Sequence, residues 1–340
     1  MPKLESGEIL ARMRMVGICG SDVHMWHNPS TPAPMIFGHE NVAEIEALGE
    51  GRITDGVGQE VGEADMIVFT GRIPCGRCFI CTVANEPTVC ENSIAYGMTP
   101  NTERPYLRGG YGEYVHLMPR AGIVKITDKK LAEKGMLAVL GNATVSYGLE
   151  KAGGVNAGET IVIQGSGPIG LAALVQSKLH SAHKIIMVGA PEGRLNLAKS
   201  LGSDEVVNID ENREPADRVK LVYGMTEGRG GDLVIEASGG KTAFDEGLQM
   251  TRIGGRYLDL GQATNYGPML VNPYYITKRA LRVFGSWGNT PKHLYKAIIK
   301  LQDVDLPMNK LITHRFNIDD ATKGLQMAES LSSVISVIEY

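Results

Sequence analysis

The chain has 340 residues, of which 43% are hydrophobic and 21% charged, and its formal net charge is −4. This length favours two domains over one, and the composition is that of a globular protein that can bury a core. The small negative charge and the lack of any Lys/Arg run argue against a nucleic-acid-binding protein. No stretch approaches about 20 uninterrupted apolar residues, and the first residues lack the apolar core of a signal peptide. We therefore expect a cytoplasmic protein.

The first stretch, residues 1–140, is rich in Gly, Pro and short β-like runs, and it holds all five cysteines. Two short runs in it carry candidate metal ligands, namely Cys19-Gly20-Ser21-Asp22-Val23-His24 and Gly38-His39-Glu40. Taken alone, Cys19 and His39 are more often ordinary residues than ligands. Only their joint occurrence indicates a metal site.

The other four cysteines form the motif Cys75-x2-Cys78-x2-Cys81-x8-Cys90. An odd total of cysteines in a chain of this size argues against a disulfide framework. Four thiolates in one short window can close a tetrahedral zinc cage that has no open position. The motif therefore predicts a structural zinc site over 75–90 and no catalysis there.

The sequence pattern changes over residues 141–287, where apolar strand candidates alternate regularly with helical segments. This alternation predicts βαβ units and a doubly wound, parallel α/β sheet. The predicted strands are 160–164, 184–188, 205–209, 232–236 and 256–260, and the predicted helices are 168–180, 193–201, 215–224 and 241–251.

The first of these strands runs directly into a glycine-rich turn and then into an apolar helix. Gly165 permits the tight turn, Gly167 lets the backbone approach a pyrophosphate, and Gly170 lets helix and strand pack closely. Pro168 suits the first helical turn, and the helix N-terminus offers free N–H groups to the phosphates. The predicted dinucleotide contacts in this turn are Gly165, Gly167, Pro168, Ile169 and Gly170.

The second strand ends at Gly189, where NAD enzymes of this architecture carry an acid that holds the adenosine ribose. Loss of the acid admits a 2′-phosphate, but the residues that follow lack the arginine of an NADP site. Glu192 offers a substitute for the acid. Arg194 begins the next helix, where an exposed structural role is an equal alternative. We favour NAD over NADP, with Gly189 and Arg194 as candidate coenzyme contacts.

The last stretch, residues 288–340, contains predicted helices at 291–302 and 319–331 and a closing strand at 334–338. We find no internal repeat and no low-complexity linker. The tail is therefore expected to pack on the first stretch. The predicted domains are 1–140 together with 288–340, and 141–287.

These motifs, in this order, closely resemble the zinc-dependent medium-chain dehydrogenase/reductase superfamily over nearly the whole chain. The resemblance is nearest to the alcohol, threonine and polyol dehydrogenase branches. It implies a mostly β, GroES-like catalytic domain that carries the zinc lobe at 75–90. It also implies that 141–287 is a Rossmann coenzyme-binding domain.

The resemblance further implies the chemistry of the site. Cys19 and His39 would bind a catalytic zinc, which acts as a Lewis acid on the alcohol. Asp22 would accept from the far nitrogen of His39 and fix its tautomer. Ser21 would bind the substrate oxygen and pass its proton through the coenzyme ribose to His24 while hydride moves to the nicotinamide. The alternatives are a helix-capping Ser21 and a merely exposed His24.

Two departures from the family pattern fall within residues 1–140. The usual third zinc ligand precedes the coenzyme domain, but that position holds Ala138. Glu40 is the remaining candidate, so the predicted ligands are Cys19, His39, Glu40 and water, with two zinc ions per chain expected. In addition, the family's opening strands are largely absent before Gly7, so an exposed edge is expected in the first domain.

The favoured interpretation is an enzyme that oxidises an alcohol, most simply a secondary one, with NAD or NADP. Ala138 supports a rival, a non-catalytic NAD(P)-binding protein that keeps only the structural zinc. A zinc-free quinone or enone reductase of the same fold is a third possibility. The joint presence of the ligand and relay residues argues against both rivals.

Several aromatic or sulfur-containing side chains are candidate pocket walls, and they would favour an apolar or cyclic alcohol. They are Trp26, Phe37, Tyr96, Met98, Tyr106 and Trp287. Taken alone, each of them is more often a core or surface residue than a substrate contact. The segment 281–285 is predicted to be the last strand of the coenzyme sheet. The resemblance implies that its edge pairs across a twofold axis, which predicts a homodimer or homotetramer.

Overall fold

The computed structural model describes residues 2–51, 54–128, 131–262, 265, 267–302, 304 and 307–340. Contacts divide the chain into two compact units. Unit 1 comprises Met1–Ala143, Gly288–Val304 and Met308–Tyr340, and unit 2 comprises Thr144–Trp287 with Asp305–Pro307. The assignment of these units as catalytic and coenzyme-binding domains stays a prediction.

Over the described residues, the strands are β1 (Ile9–Ile18), β2 (Glu40–Leu48), β3 (Met66–Phe69), β4 (Arg72–Ile73), β5 (Ile94–Ala95), β6 (Tyr114–Leu117), β7 (Ile123–Ile126), β8 (Thr160–Gln164), β9 (Lys184–Gly189), β10 (Glu205–Asn208), β11 (Gly231–Glu236), β12 (Thr251–Asp259), β13 (Arg282–Gly285), β14 (Ile312–Asn317) and β15 (Ile335–Glu339).

The helices are α1 (Gly20–His27), α2 (Phe79–Thr82), α3 (Ala132–Leu137), α4 (Ala143–Lys151), α5 (Pro168–Leu179), α6 (Glu192–Ser200), α7 (Pro215–Met225), α8 (Ala243–Met250), α9 (Tyr274–Lys278), α10 (Pro291–Gln302) and α11 (Ala321–Glu329). In the part of the chain that the structure describes, none of them has the length and apolar character needed to cross a bilayer.

The sheet of unit 1 is built around β1, which pairs antiparallel with β2, β6 and β15. Its described strand order is β14-β15-β1-β2-β3-β7, with β6 also on β1. Along β1, Ala11 and Met13 are fully buried in the core while Arg12 between them is exposed, as expected for one buried face. The pairing of Val16 with Ile338 brings the C-terminal strand into this unit.

The sheet of unit 2 is parallel throughout its described strands, in the order β10-β9-β8-β11-β12-β13. Its inner strands are continuous runs of buried Val, Ile and Leu, because helices cover both faces of such a sheet. The chain winds outward from β8 in both directions. The prediction of a doubly wound α/β sheet is confirmed.

Candidate active site

Three potential metal ligands converge where β1 ends and β2 begins. The antiparallel register places Gly17 of β1 opposite Glu40 of β2. Cys19, two residues beyond Gly17, is therefore brought to His39 and Glu40. One ligand atom from each of these three side chains lies within 4.8 Å of the others. A strand pairing thus assembles a cluster whose members are about 20 residues apart in sequence.

Asp22 connects two members of this cluster. It is fully buried in the first turn of α1, and its Oδ2 accepts the Cys19 backbone N–H at 2.9 Å. Its Oδ1 lies 3.3 Å from His39 Nδ1, close enough for an ion pair, although the two atoms are not aligned as a hydrogen bond. The same carboxylate therefore caps the helix that follows Cys19 and orients His39.

The opposite nitrogen of His39 faces the remaining polar groups. Its Nε2 lies 3.3 Å from Ser21 Oγ and 3.6 Å from Glu40 Oε1. His24 follows Ser21 by three residues on α1, which is nearly one helical turn, and it is exposed. The predicted zinc ligands are thus brought together with Ser21 and Asp22, and His24 lies toward solvent.

The electrostatics of this cluster suit a divalent cation. Burial alone would lower the pKa of His39, but the Asp22 carboxylate outweighs it and holds that pKa well above its ordinary value. Burial raises the pKa of Glu40 to about 7, against the opposing pull of His39. One buried carboxylate (Asp22), one half-buried carboxylate (Glu40) and a thiol surround one imidazole, so a cation bound between the ligands would offset the carboxylate charge. The donor set of sulfur, nitrogen and oxygen fits zinc.

Ala138 begins an irregular helical turn, Ala138–Asn142, that is kinked at Leu140 and Gly141. Ala138 is fully buried and offers only a methyl group. The segment packs tightly on β1, since a Cβ added to Gly17 would lie 2.4 Å from Leu140 Cδ1. Among the candidates from the sequence, Glu40 is the side chain whose carboxylate lies close enough to Cys19 and His39 to serve as a third ligand.

The four-cysteine motif forms a second cluster within unit 1. The Sγ–Sγ distances are 3.5 Å for Cys78–Cys81, 3.8 Å for Cys78–Cys90 and 4.0 Å for Cys75–Cys81. Zn–S bonds of about 2.3 Å in a tetrahedron place the sulfurs about 3.8 Å apart. All four thiols are free, and the Cys75 backbone N–H donates to Cys90 Sγ at 3.3 Å. The sulfur positions fit a closed four-thiolate zinc site.

In unit 2, the three glycines of the glycine-rich turn serve different purposes. Gly165 has a φ of +106°, and its Cβ would lie 2.9 Å from the Ala237 carbonyl. A Cβ on Gly170 would lie 1.8 Å from the Gly165 oxygen. Gly167 has an ordinary φ of −78°, and its Cβ would meet no described atom within 4 Å. The fold thus explains Gly165 and Gly170, whereas Gly167 leaves open space for a ligand in front of α5, which Pro168 and Ile169 begin.

The departure at Gly189 has a local cause that the sequence analysis missed. A Cβ at this position would lie 2.7 Å from Ser166 Oγ, and that hydroxyl donates to the Ala190 carbonyl at 2.7 Å. An acidic side chain cannot stand at 189 unless Ser166 moves. Glu192 is exposed and Arg194 is half-buried in the first turns of α6, where burial lowers the pKa of the guanidinium.

The prediction that Tyr96 lines the substrate pocket is wrong. Its side chain is fully buried in the core, and its hydroxyl donates to the His116 carbonyl at 2.8 Å. The other five stay predictions, with Trp26, Phe37 and Met98 half-buried and Tyr106 and Trp287 exposed.

The sequence analysis also missed Glu236, a fully buried acid at the end of β11. The signal was present, because an acid ends the apolar run 233–235 just before Ala-Ser-Gly-Gly. Strand ends of this kind border ligand sites in doubly wound sheets.

Comparisons with known proteins agree with this geometry. The profile of the family described as "Alcohol dehydrogenase GroES-like domain" matches residues 5–128, and that of "Zinc-binding dehydrogenase" matches residues 168–303. The chain is 35% identical to 5-exo-hydroxycamphor dehydrogenase of Pseudomonas putida, over 98% of this chain and 92% of that protein. It is 31% identical to L-threonine 3-dehydrogenase of Pectobacterium carotovorum, over 97% and 90% of the two chains.

Solved structures give the same result. An alcohol dehydrogenase from Thermotoga maritima superposes with a TM-score of 0.92 at 31% identity, over 99% of this chain and 93% of that one. An alcohol dehydrogenase from Thermus sp. ATN1 superposes with a TM-score of 0.86 at 25% identity, over 100% and 94%. The chain belongs to the zinc-dependent medium-chain dehydrogenase/reductase superfamily. The predictions of the GroES-like plus Rossmann fold and of an NAD(P)-linked, zinc-containing alcohol dehydrogenase are confirmed.

Proposed function

We propose that this enzyme oxidises a cyclic or otherwise apolar secondary alcohol, with a catalytic zinc held by Cys19, His39 and Glu40. The observation that carries the proposal is the convergence of these three ligand atoms within 4.8 Å. A structural zinc in the 75–90 lobe completes the expected two ions per chain. A catalytic zinc site needs three protein ligands and one open position. Glu40 would be the third protein ligand, since Ala138 offers none.

A zinc held by Cys19, His39 and Glu40 would supply Lewis acidity to the alcohol oxygen, and a bound NAD(P) would supply the hydride acceptor. Ser21 Oγ, which lies 3.3 Å from His39 Nε2, is placed to hydrogen-bond that oxygen and to take over its proton. His24, exposed on the same helix, then delivers the proton to solvent. Asp22 keeps the Nδ1 face of His39 occupied and so leaves Nε2 for the metal.

The coenzyme contacts that we propose are in unit 2, at the glycine-rich turn and at Gly189 and Arg194. The open space at Gly167 is the observation that supports them, because the fold itself does not require glycine there. We propose NAD as the preferred coenzyme, since the residues after Gly189 provide Glu192 and lack an arginine directly after the strand.

The substrate class is supported by the relative of higher identity, whose name denotes a bicyclic secondary alcohol. An activity screen tests this proposal. It compares cyclohexanol, borneol and isoborneol with L-threonine and sorbitol, each with NAD⁺ and NADP⁺. We expect kcat/KM for the cyclic alcohols with NAD⁺ to exceed that for threonine and sorbitol by at least about tenfold, which corresponds to about 1.4 kcal/mol.

Turnover of only threonine or sorbitol would contradict the substrate class and leave the zinc chemistry standing. Loss of activity in Ser21→Ala with unchanged zinc content is expected if Ser21 carries the proton. A protein that binds the coenzyme but oxidises none of these alcohols would favour the non-catalytic alternative that Ala138 supports.

We also propose a homodimer or homotetramer formed through the edge of β13. This strand ends the described sheet of unit 2, and its residue Val283 is 38% exposed. An open edge with an apolar side chain favours pairing with a second copy. Light scattering should give a multiple of the 36.7 kDa chain mass, and a value at 36.7 kDa would contradict the proposal.

A further inference from the structure

A buried carboxylate outside the proposed catalytic cluster lies at the carboxyl end of an inner strand of the unit 2 sheet. Glu236 ends β11 and is 0% exposed. The parallel register places Gln164 at the end of β8 on one side of it and Asp259 at the end of β12 on the other. Burial of an acid is unfavourable unless its oxygens are hydrogen-bonded, so its partners indicate what it is for.

The side chain of Glu236 holds the turn that follows β11. Its Oε1 accepts the backbone N–H of Ser238 at 2.7 Å, the hydroxyl of Ser238 at 2.5 Å and the N–H of Gly239 at 3.0 Å. Its Oε2 lies 3.2 Å from the Gly239 nitrogen. Several donors on one carboxylate fix the conformation of this turn.

The same residue also holds the exit of β12. Its backbone carbonyl accepts the N–H groups of Leu260 at 2.8 Å and Gly261 at 3.0 Å. A Cβ on Gly261 would lie 2.1 Å from Glu236 Oε2, so only glycine fits against the carboxylate. The two strand exits are therefore packed around one side chain.

The turn after β11 packs in addition against the glycine-rich turn. The Ala237 N–H donates to the Gln164 carbonyl at 2.8 Å, and a Cβ on Gly165 would lie 2.9 Å from the nitrogen of Ser238. Glu236 thus holds the exits of β11 and β12, whereas the exit of β8 meets this turn through backbone atoms of 237–238.

The topology of the sheet indicates which part of a bound coenzyme would lie over the ends of β11 and β12. Dinucleotides lie across the carboxyl ends of a doubly wound sheet, with the pyrophosphate at the first glycine-rich turn and the adenosine ribose at the end of the next strand, here β9. The nicotinamide half must then extend over the other half of the sheet, where β11 and β12 end.

We propose that Glu236 is a positioning residue for the nicotinamide half of NAD(P), acting through the turns at 237–239 and 260–261 and not by touching the reacting atoms. The inference rests on the proposed coenzyme site. The proposal predicts different effects on the two halves of the coenzyme. The adenosine half would be held at the ends of β8 and β9, which the Glu236 carboxylate does not hold.

The test is Glu236→Gln, titrated with NADH (NADPH if the wild type prefers it) and with the matching fragment that lacks nicotinamide, ADP-ribose for NADH. The amide keeps the size of the side chain but replaces charge-assisted bonds with weaker ones. We expect Kd for the reduced coenzyme to rise about tenfold while Kd for the fragment stays unchanged, and kcat to fall with KM for the alcohol unchanged.

The matched control is Glu246→Gln. Glu246 is also buried in unit 2, at 4% exposure, but the described partners of its carboxylate are Arg218, with Nη2 at 2.6 Å from Oε1, and the Thr242 hydroxyl, and not the turns at 237–239 and 260–261. This variant should lose stability and keep both dissociation constants. Should Glu236→Gln not fold, Ser238→Ala removes one donor to the carboxylate and should shift the coenzyme Kd in the same direction by a smaller factor.

Equal weakening of coenzyme and fragment binding in Glu236→Gln would overturn the proposal, because it would indicate general loosening of the unit. Unchanged coenzyme binding in a folded variant would overturn it as well. A wild-type protein that binds neither NADH nor NADPH would instead overturn the coenzyme site itself, and this inference with it.

Discussion

Buried carboxylates organise unit 1 at the scale of single residues, and Glu8 shows this away from the active site. It is 1% exposed, and it contacts His116 Nε2 at 3.0 Å, Arg104 Nε at 3.2 Å and the Glu5 N–H at 2.7 Å. Burial raises the pKa of Glu8, but the bond from Arg104, helped by Glu5 and His116, outweighs it and brings the pKa below its ordinary 4.5. This cluster ties the start of β1 to the loop before β6.

We predict that this cluster makes unit 1 acid-sensitive. Because the folded-state pKa of Glu8 lies below 4.5, the unfolded chain binds the proton more readily. The stabilisation is therefore complete above the ordinary pKa and is lost as pH falls through the folded-state value. Glu8→Gln should lower the melting temperature by roughly five degrees at pH 7 and reduce its decline below pH 4.5.

The matched control for this prediction is Glu5→Gln. Glu5 faces the same Arg104 at 3.4 Å, but its side chain is 70% exposed. An exposed ion pair contributes little, so the control should follow the wild-type curve of melting temperature against pH. If Glu8→Gln also followed that curve, the proposed acid sensitivity would be wrong.

At the scale of elements, the glycine-rich turn separates what the fold needs from what the coenzyme needs. Gly170→Ala would place a Cβ 1.8 Å from the Gly165 oxygen, whereas Gly167→Ala would meet no described atom within 4 Å. We predict that Gly170→Ala lowers the melting temperature by several degrees. Gly167→Ala should change stability by less than about 0.5 kcal/mol but weaken coenzyme binding by about tenfold or more.

Paired thermal melts and coenzyme titrations of these two variants check this prediction. The loss of stability and the loss of coenzyme binding should occur in different variants. Tight coenzyme binding by Gly167→Ala would show that this position does not face the pyrophosphate, and an unaltered melting temperature for Gly170→Ala would contradict the packing argument.

The features that the sequence predicts correctly are those whose parts are close together along the chain. The strands and helices of 160–250 were foreseen from alternating patterns, and the cysteine motif needs only its own spacing to bring sulfurs within 4.0 Å. Helix α1 was not predicted, since its run contains Gly20, Ser21 and Asp22, which are weak helix formers. It forms where Asp22 Oδ2 accepts the backbone N–H of the N-cap residue, Cys19.

Contacts that depend on the tertiary fold could not be predicted from the sequence. The link from Asp22 to His39 depends on the pairing of β1 with β2, and the closure of the acid position at Gly189 depends on Ser166 of another strand exit. The packing of Gly261 on Glu236 requires two neighbouring parallel strands. Such contacts leave at most a single unusual residue in the sequence, such as an acid that ends an apolar strand.

At the scale of the whole molecule, the proposed metal sites and the proposed coenzyme site fall in different units. Unit 1 contains both cysteine-bearing candidate metal sites, and unit 2 contains the glycine-rich turn at the end of β8. Family membership establishes an NAD(P)-linked, zinc-containing alcohol dehydrogenase. In our account, Ala138 stands where the family resemblance implies a third zinc ligand, and Glu40 takes that role.

Zinc content per chain tests this central claim most directly. It is measured by elemental analysis on protein purified without chelator, before and after zinc is added back and the excess removed. We predict about two zinc ions per chain, one in the four-cysteine lobe and one held by Cys19, His39 and Glu40. A value of about one that does not rise when zinc is added would contradict the account, because only the closed lobe would then retain its metal.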